Sequence, residues 1–159
     1  AFEVTKALNK SGLNTELTVV GCQPVSDEPL PDYVKPLGFI NKSTAEGREK
    51  INKLLAESHF LILPSKAECF GVVFSEASSF GVPSIATSVG GITTAVRNGM
   101  NGQLFEKDAS LSEYCTYISN IFTKYSEYEE LAISTFNEYQ SRLNWSVAGR
   151  TVKSLLMNL

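Results

Sequence analysis

Glu68 and Glu76 stand eight positions apart on either side of Phe70-Gly71. Two carboxylates so placed can each accept hydrogen bonds from a pair of vicinal hydroxyls, one from a ribose and one from a sugar. Gly71 lets a backbone approach a ligand closely. A helix starting at about Val72 would aim unpaired N–H groups, and the positive end of its dipole, at an anion such as a diphosphate. The chemistry suggested is the binding of a sugar joined to a nucleotide. A structural reading stands beside it, because a glutamate in the first turn of a helix is favoured by the dipole whatever the protein does. A hydrolytic reading also stands beside it, with Glu68 and Glu76 as acid and nucleophile, although such enzymes need one carboxyl group on each side of the scissile bond.

The flanking elements favour the nucleotide reading. Phe60-Leu-Ile-Leu63, closed by Pro64, has the unbroken apolar character of a strand buried in a parallel sheet, which puts Glu68 just past its carboxyl end. Ala77-Ser-Ser-Phe-Gly-Val-Pro83 ends the following helix with a glycine cap and a proline stop. Ser84-Ile-Ala-Thr-Ser-Val89 reads as the next strand, and Gly90-Gly91 as a second tight turn before another helix. In open α/β sheets ligands lie outside the carboxyl ends of strands, so two adjacent turns of this kind form a candidate site.

These residues resemble the retaining glycosyltransferases of family 4, in the C-terminal half of their two-domain GT-B fold. The centre of the resemblance is Pro64-Ser65, Glu68-Cys-Phe-Gly71 and Glu76-Ala77, followed by Gly81-Val-Pro83 and Gly90-Gly91. Leu17-Thr-Val-Val-Gly21, Gly38-Phe39-Ile40, Asn98-Gly-Met-Asn-Gly-Gln-Leu-Phe105 and Asn144-Trp-Ser-Val147 extend it over most of the chain. The resemblance implies that Glu68 contacts the donor sugar in a catalytic role and that the stretch Cys69, Phe70, Gly71 and Val72 lines the donor and its phosphates. By the same comparison Glu76 holds the ribose, and Gly38 and Phe39 lie near the base. It further implies a nucleotide-diphosphate sugar as donor, a hydroxyl acceptor, and no metal or other cofactor. Two positions depart from the family pattern. Thr94 stands where a glutamate is common, and His59 where an aspartate is common. His59 is the chain's one histidine, and between a helix end and a buried strand a structural role is expected for it.

With 159 residues the chain is the size of one domain, read as residues 1–159. A net charge of −3 with no basic patch gives no case for nucleic acid. No apolar run is long enough for a membrane span, though the resemblance allows peripheral membrane association of a parent protein. Cys22, Cys69 and Cys115 show no metal-ligand or disulfide spacing, which suits a reducing, cytoplasmic setting. Cys69 is read as a small site-lining residue rather than a nucleophile.

The rest of the chain supplies the scaffold. A helix from Ala1 to about Asn9, closed by Ser11-Gly12, precedes a strand at Leu17–Val20, and a proline-rich loop over Gln23–Pro31 leads to a second strand at Val34–Ile40. Ser43-Thr-Ala-Glu46 has the form of a capping box opening a helix to about Ser58. Strands at Phe60, Ser84 and Gln103 bring the expected total to about five, mostly parallel, in a Rossmann-like three-layer sandwich that is half of a GT-B fold. After Ser110 the pattern turns helical. Leu111, Tyr114, Cys115, Ile118, Ile121 and Phe122 form one apolar face, Tyr128, Leu131, Ala132 and Phe136 another, and an amphipathic segment from Trp145 is expected to pack on the sheet or on a further domain. A doubly wound half normally opens with a strand, so the opening strand is expected to lie outside this sequence, and the resemblance implies that an N-terminal acceptor domain does too. A binding module without chemistry is the alternative to a transferase.

Overall fold

The computed structural model describes residues 1–24 and 29–158. Part of the expected Gln23–Pro31 loop, residues 25–28, therefore lies outside the described residues. Two compact units are present, one formed by Ala1–Glu57 with Ser110–Asn120 and the other by Ser58–Ala109 with Ile121–Leu159.

In the first unit, helix α1 (Phe2–Lys10) ends at Ser11, whose hydroxyl donates to the Leu8 carbonyl at 2.8 Å, and Gly12 continues at φ +92°. Strands β1 (Leu17–Val20) and β2 (Val34–Gly38) pair in parallel, with Leu17 opposite Val34, Val19 opposite Pro36 and a bulge between Val19 and Val20. Helix α2 (Ala45–Ala56) starts one residue later than the expected capping box. The cap is Thr44, whose Oγ1 accepts from the Gly47 amide at 3.1 Å, because Asn41 occupies the amide of Ser43 at 2.9 Å in a side-chain turn. Gly47, a poor residue for a helix's first turn, is demanded by packing, since a Cβ there would overlap the Asn41 carbonyl. The unit buries Val4, Leu8, Val34, Tyr114 and Ile118.

In the second unit, β3 (Leu61–Leu63), β4 (Ser84–Thr87) and β5 (Gly102–Phe105) form a parallel sheet with β4 central. Leu61 faces Ser84, and Ser84 faces Gly102. All four residues of β4 are buried, the polar Ser84 and Thr87 included, as in a central parallel strand covered on both faces. All five expected strands form, but they pair as two ladders, β1–β2 and β3–β4–β5. Helix α3 (Val72–Ser79) crosses from β3 to β4, and α4 (Ile92–Ala95) from β4 to β5. Phe74, Ala86, Val89, Ile92, Ala95 and Val96 form the buried core, with Leu61, Leu63, Phe70 and Leu104 packed against it.

The first position of β4 carries a cost. The Ser84 hydroxyl is fully buried and has no hydrogen-bond partner. An unsatisfied buried hydroxyl costs about 1–3 kcal/mol, so Ser84→Ala is expected to leave stability unchanged or raise it, read as the midpoint of urea unfolding. A lower midpoint would show that the hydroxyl finds a partner in solution.

Three further α-helices follow, α5 (Leu111–Thr123), α6 (Tyr125–Glu138) and α7 (Trp145–Met157), with a π-helical segment at Tyr139–Leu143 between the last two. Ser110 and Glu113 close a capping box ahead of α5, and the hydrogen bonds from Ser110 hold the Glu113 carboxyl below its ordinary range. The buried stripe of α6 keeps Tyr128 and Leu131 of the expected apolar face but continues through Thr135 and Glu138, and Phe136 remains 42% exposed. Polar residues can occupy that stripe because each is satisfied. Thr135 donates to the Leu131 carbonyl at 2.7 Å, and Glu138 is paired with Arg142. Leu111, expected on the buried face of α5, is likewise 42% exposed. Of the two expectations for α7, packing on the sheet is corrected, since the helix buries no residue and leaves Trp145, Leu155 and Met157 exposed; packing on a further domain is not contradicted. No helix is long and apolar enough to cross a membrane among the described residues.

Candidate functional site

The site is built where β3 and β4 end. Beyond Leu63 the chain runs through Pro64 to a turn at Glu68-Cys69, and beyond Thr87 it runs through Val89 to Gly90-Gly91. These two turns touch. The Gly91 amide donates to the Glu68 carbonyl at 3.2 Å, and there is no room between them for another atom. A Cβ on Gly91 would overlap the Cys69 carbonyl, and one on Gly90, which sits at φ +51°, would overlap the Glu68 carbonyl. The adjacency expected from two glycine-rich strand ends is therefore a direct main-chain contact that depends on glycine at both positions.

Glu68 is half-buried, and its Oε1 accepts from the Cys69 amide at 3.0 Å. Cys69 itself is exposed, and the Phe70 ring turns inward against the core. Gly71 caps α3 in the left-handed region at φ +76°, and a Cβ there would come 2.5 Å from the Phe74 ring. The helix thus begins where expected, at Val72, with Val72 56% exposed and Phe74 fully buried beneath the turn. Glu76 lies one turn into α3 and is half-buried, and its carbonyl accepts from the Ser79 hydroxyl at 2.6 Å. Glu68, Cys69, Phe70, Gly71, Val72 and Glu76 all belong to the second unit. Gly38 and Phe39, assigned to the base, belong to the first, where Gly38 ends β2 at φ +65° and Phe39 is 81% exposed.

The two positions that depart from the family pattern have defined surroundings. The exposed Thr94 is the penultimate residue of α4, and its carbonyl accepts from Arg142 Nη1 at 2.6 Å. His59 lies against the rings of Phe122 and Tyr128, each with centroids at 5.3 Å, and its carbonyl accepts from the Tyr128 hydroxyl at 3.2 Å. Burial pushes the Tyr128 phenol up to about 12. Among the described residues no group of three or more His, Cys, Asp or Glu side chains comes together as a metal cluster.

Sequence reasoning missed four residues behind the turns, namely Arg97, Asn101, Glu138 and Arg142. Asn101 is fully buried. Its Nδ2 donates to the Ala95 carbonyl at 2.9 Å, and its Oδ1 accepts from the Arg97 amide at 2.8 Å. Glu138 and Arg142 carry a local signal, opposite charges four apart in a helical stretch. The reach of Arg142 to α4 carries none.

The group 1 glycosyl transferase family matches residues 2–123 of this chain. A D-inositol 3-phosphate glycosyltransferase of Nocardiopsis dassonvillei is 29% identical over 130 residues, 80% of this chain and 29% of its own length. That of Geodermatophilus obscurus is 33% identical over 108 residues, 65% of this chain and 22% of its own. The chain thus spans under a third of these curated relatives. Among solved structures, sucrose-phosphate synthase from Thermosynechococcus elongatus superposes with a TM-score of 0.73 at 22% identity, covering 99% of this chain and 43% of that one. Anabaena HepE in complex with UDP-glucose does so at 0.67 and 19%, covering 99% and 53%. The likeness to these two structures is one of fold.

Proposed function

This chain belongs to the group 1 glycosyl transferases, and from that premise we propose that it is the donor-binding half of a retaining enzyme. The reaction is transfer of a sugar from a nucleotide-diphosphate sugar to a hydroxyl acceptor. The observation that carries the reading is the contact between the two strand-end turns, Gly91 N–H to Glu68 carbonyl, at the carboxyl edge of a parallel sheet. The UDP-glucose complex of Anabaena HepE lends it support from a protein of the same fold.

In this reading each residue acts by position and charge. Glu76, half-buried on α3, accepts hydrogen bonds from the ribose hydroxyls. The diphosphate lies against the start of α3, where Gly71 leaves main-chain N–H groups free of a side chain and the helix dipole favours negative charge. Glu68, held toward its own turn by the Cys69 amide, orients the transferred sugar. As the glycosidic bond to the diphosphate breaks, negative charge grows on the leaving oxygen, and donors fixed before the reaction stabilise it without reorganising. No metal is required in this scheme. In this scheme the acceptor is held by an N-terminal domain of the parent protein, and further phosphate-binding residues come from an opening strand of this same half and its turn into α1.

The test is titration of the purified chain with UDP and UDP-glucose in buffer containing EDTA, followed by ligand-observed NMR. Saturable binding is expected, weakened about tenfold or more in Glu76→Gln through loss of charge-assisted hydrogen bonds. Equal affinity in the variant would remove Glu76 from the ribose, and binding that needs a divalent ion would overturn the metal-independent scheme.

A further inference from the structure

Arg142 divides its guanidinium between two targets. Nε and Nη2 bind Oε2 of the buried Glu138 at 2.8 and 2.7 Å. Nη1 donates to the Thr94 carbonyl at 2.6 Å, and Nη2 to the Ala95 carbonyl at 3.3 Å. Thr94 and Ala95 are the last two residues of α4, and Gly91, which caps its other end, donates to the Glu68 carbonyl. A helix of four residues cannot hold itself in place, because too few internal hydrogen bonds form to offset the cost of ordering it. Its position is set from outside, by burial of Ile92 and Ala95 in the core, at one end by the Glu68 turn and at the other by Arg142 and Asn101.

The π-helical segment that carries Arg142 points the same way. An ion pair between residues four apart forms readily on an ordinary α-helix, so the pair itself does not call for a π turn, a rare geometry that recurs at functional sites. The same segment packs against α3, which bears Glu76. One short stretch of chain therefore contacts α3 and grips α4, the two helices that follow the candidate turns. The planar fork of arginine spreads its donors over three nitrogens and so reaches a carboxylate and two carbonyls at once, whereas an ammonium has all its donors on one atom.

We propose that Arg142 is a positioning residue for the donor site. By fixing the carboxyl end of α4 it sets the Gly91–Glu68 contact, and through that contact the placement of Glu68; the proposal rests on the donor-site reading given above. Glu138 orients the guanidinium, with Arg97 as a second cation 3.7 Å from its other oxygen.

The experiment compares wild type, Arg142→Lys and Arg142→Gln by residue-resolved amide exchange, thermal unfolding and UDP titration. Lysine keeps the charge opposite Glu138 but loses the fork. Arg142→Lys is therefore expected to melt near wild type, while exchange of the Gly91 amide quickens about tenfold and the UDP Kd rises about tenfold, the size of one lost charge-assisted hydrogen bond. Arg142→Gln is expected to show the same two site effects together with a lower melting temperature. Wild-type exchange and UDP affinity in Arg142→Lys would overturn the proposal, because charge pairing alone would then suffice. So would a lower melting temperature without any change at Gly91, the mark of a merely structural pair. If Gly91 exchange quickens but wild type itself fails to bind UDP, the donor-site reading fails first and the positioning role falls with it.

Discussion

Phe74→Ala is expected to lower the unfolding free energy by about 3–5 kcal/mol, the usual cost of emptying a fully buried aromatic site. Phe74 has no exposed surface and lies in the buried cluster with Ala86, Val89, Ile92, Ala95 and Val96. These residues come from α3, β4, the turn after β4, α4 and its C-cap, so the ring joins the elements that carry both candidate turns. A second effect follows from its place beneath Gly71. The ring occupies the space that a side chain on Gly71 would need, so its removal leaves the cap of α3 without support from below. Total stability of a domain is about 5–15 kcal/mol, and this one change consumes a large part of it. Urea unfolding measures the loss, with Phe74→Leu as a milder companion that keeps part of the volume. A loss below about 1 kcal/mol for alanine would place the core of this unit elsewhere.

Gly91→Ala is expected to produce the largest effect on the site itself. Gly91 has ordinary helical angles, φ −79° and ψ −1°, so alanine is acceptable to its own backbone. The penalty comes from contact, since the new methyl group would overlap the Cys69 carbonyl and press the Phe70 Cα. Neither is a flexible side chain that can swing away, so the two turns must separate. Overpacking of this kind costs about 1–3 kcal/mol, and here it breaks the Gly91–Glu68 hydrogen bond as well. UDP affinity is expected to fall by tenfold or more, with amide chemical shifts changing from Glu68 to Gly71. Gly149→Ala is the matching control. It lies in α7 with nothing within 4 Å of the added methyl group, and alanine in a helix interior is favoured over glycine by about 0.5–1 kcal/mol. Unchanged UDP binding in Gly91→Ala would mean that the paired turns are not where the nucleotide lies.

What could be read in advance was whatever the chain writes locally. Gly71, Gly81 and Gly90 each punctuate an element where the structure turns, and each has positive φ, a conformation that few other residues adopt without strain. Strand positions were legible because buried parallel strands are short apolar runs between such marks. The start of α2 was misread by one residue because Asn41, outside the Ser43–Glu46 pattern, takes the Ser43 amide and delays the helix. The later part of the buried face of α6, beyond Tyr128 and Leu131, was misread for a related reason. A hydrophobic pattern cannot reveal that Thr135 and Glu138 are buried, since their burial depends on a back-bonded hydroxyl and on a guanidinium placed by a π turn. In the site the same division holds. The carboxylates and glycines announce themselves, whereas the support of α4 by Asn101 and Arg142 consists of side-chain contacts with carbonyls, which leave no mark on the residues that accept them.

Because β3, β4 and β5 run parallel, neighbouring strands cannot pair through a tight hairpin, and each must wait for the helical crossover between them to close. The turns after β3 and β4 are the opening segments of those crossovers. Their contact therefore depends on the pairing of β3 with β4 across the α3 crossover rather than on local structure alone. Any ligand that bridges the two turns is then linked to global folding. It stabilises the native state by an amount that grows with the logarithm of its concentration, about 2.7 kcal/mol at one hundred times its Kd. A rise in melting temperature across a panel of candidate nucleotides would rank them without a label, an acceptor or a catalytic assay.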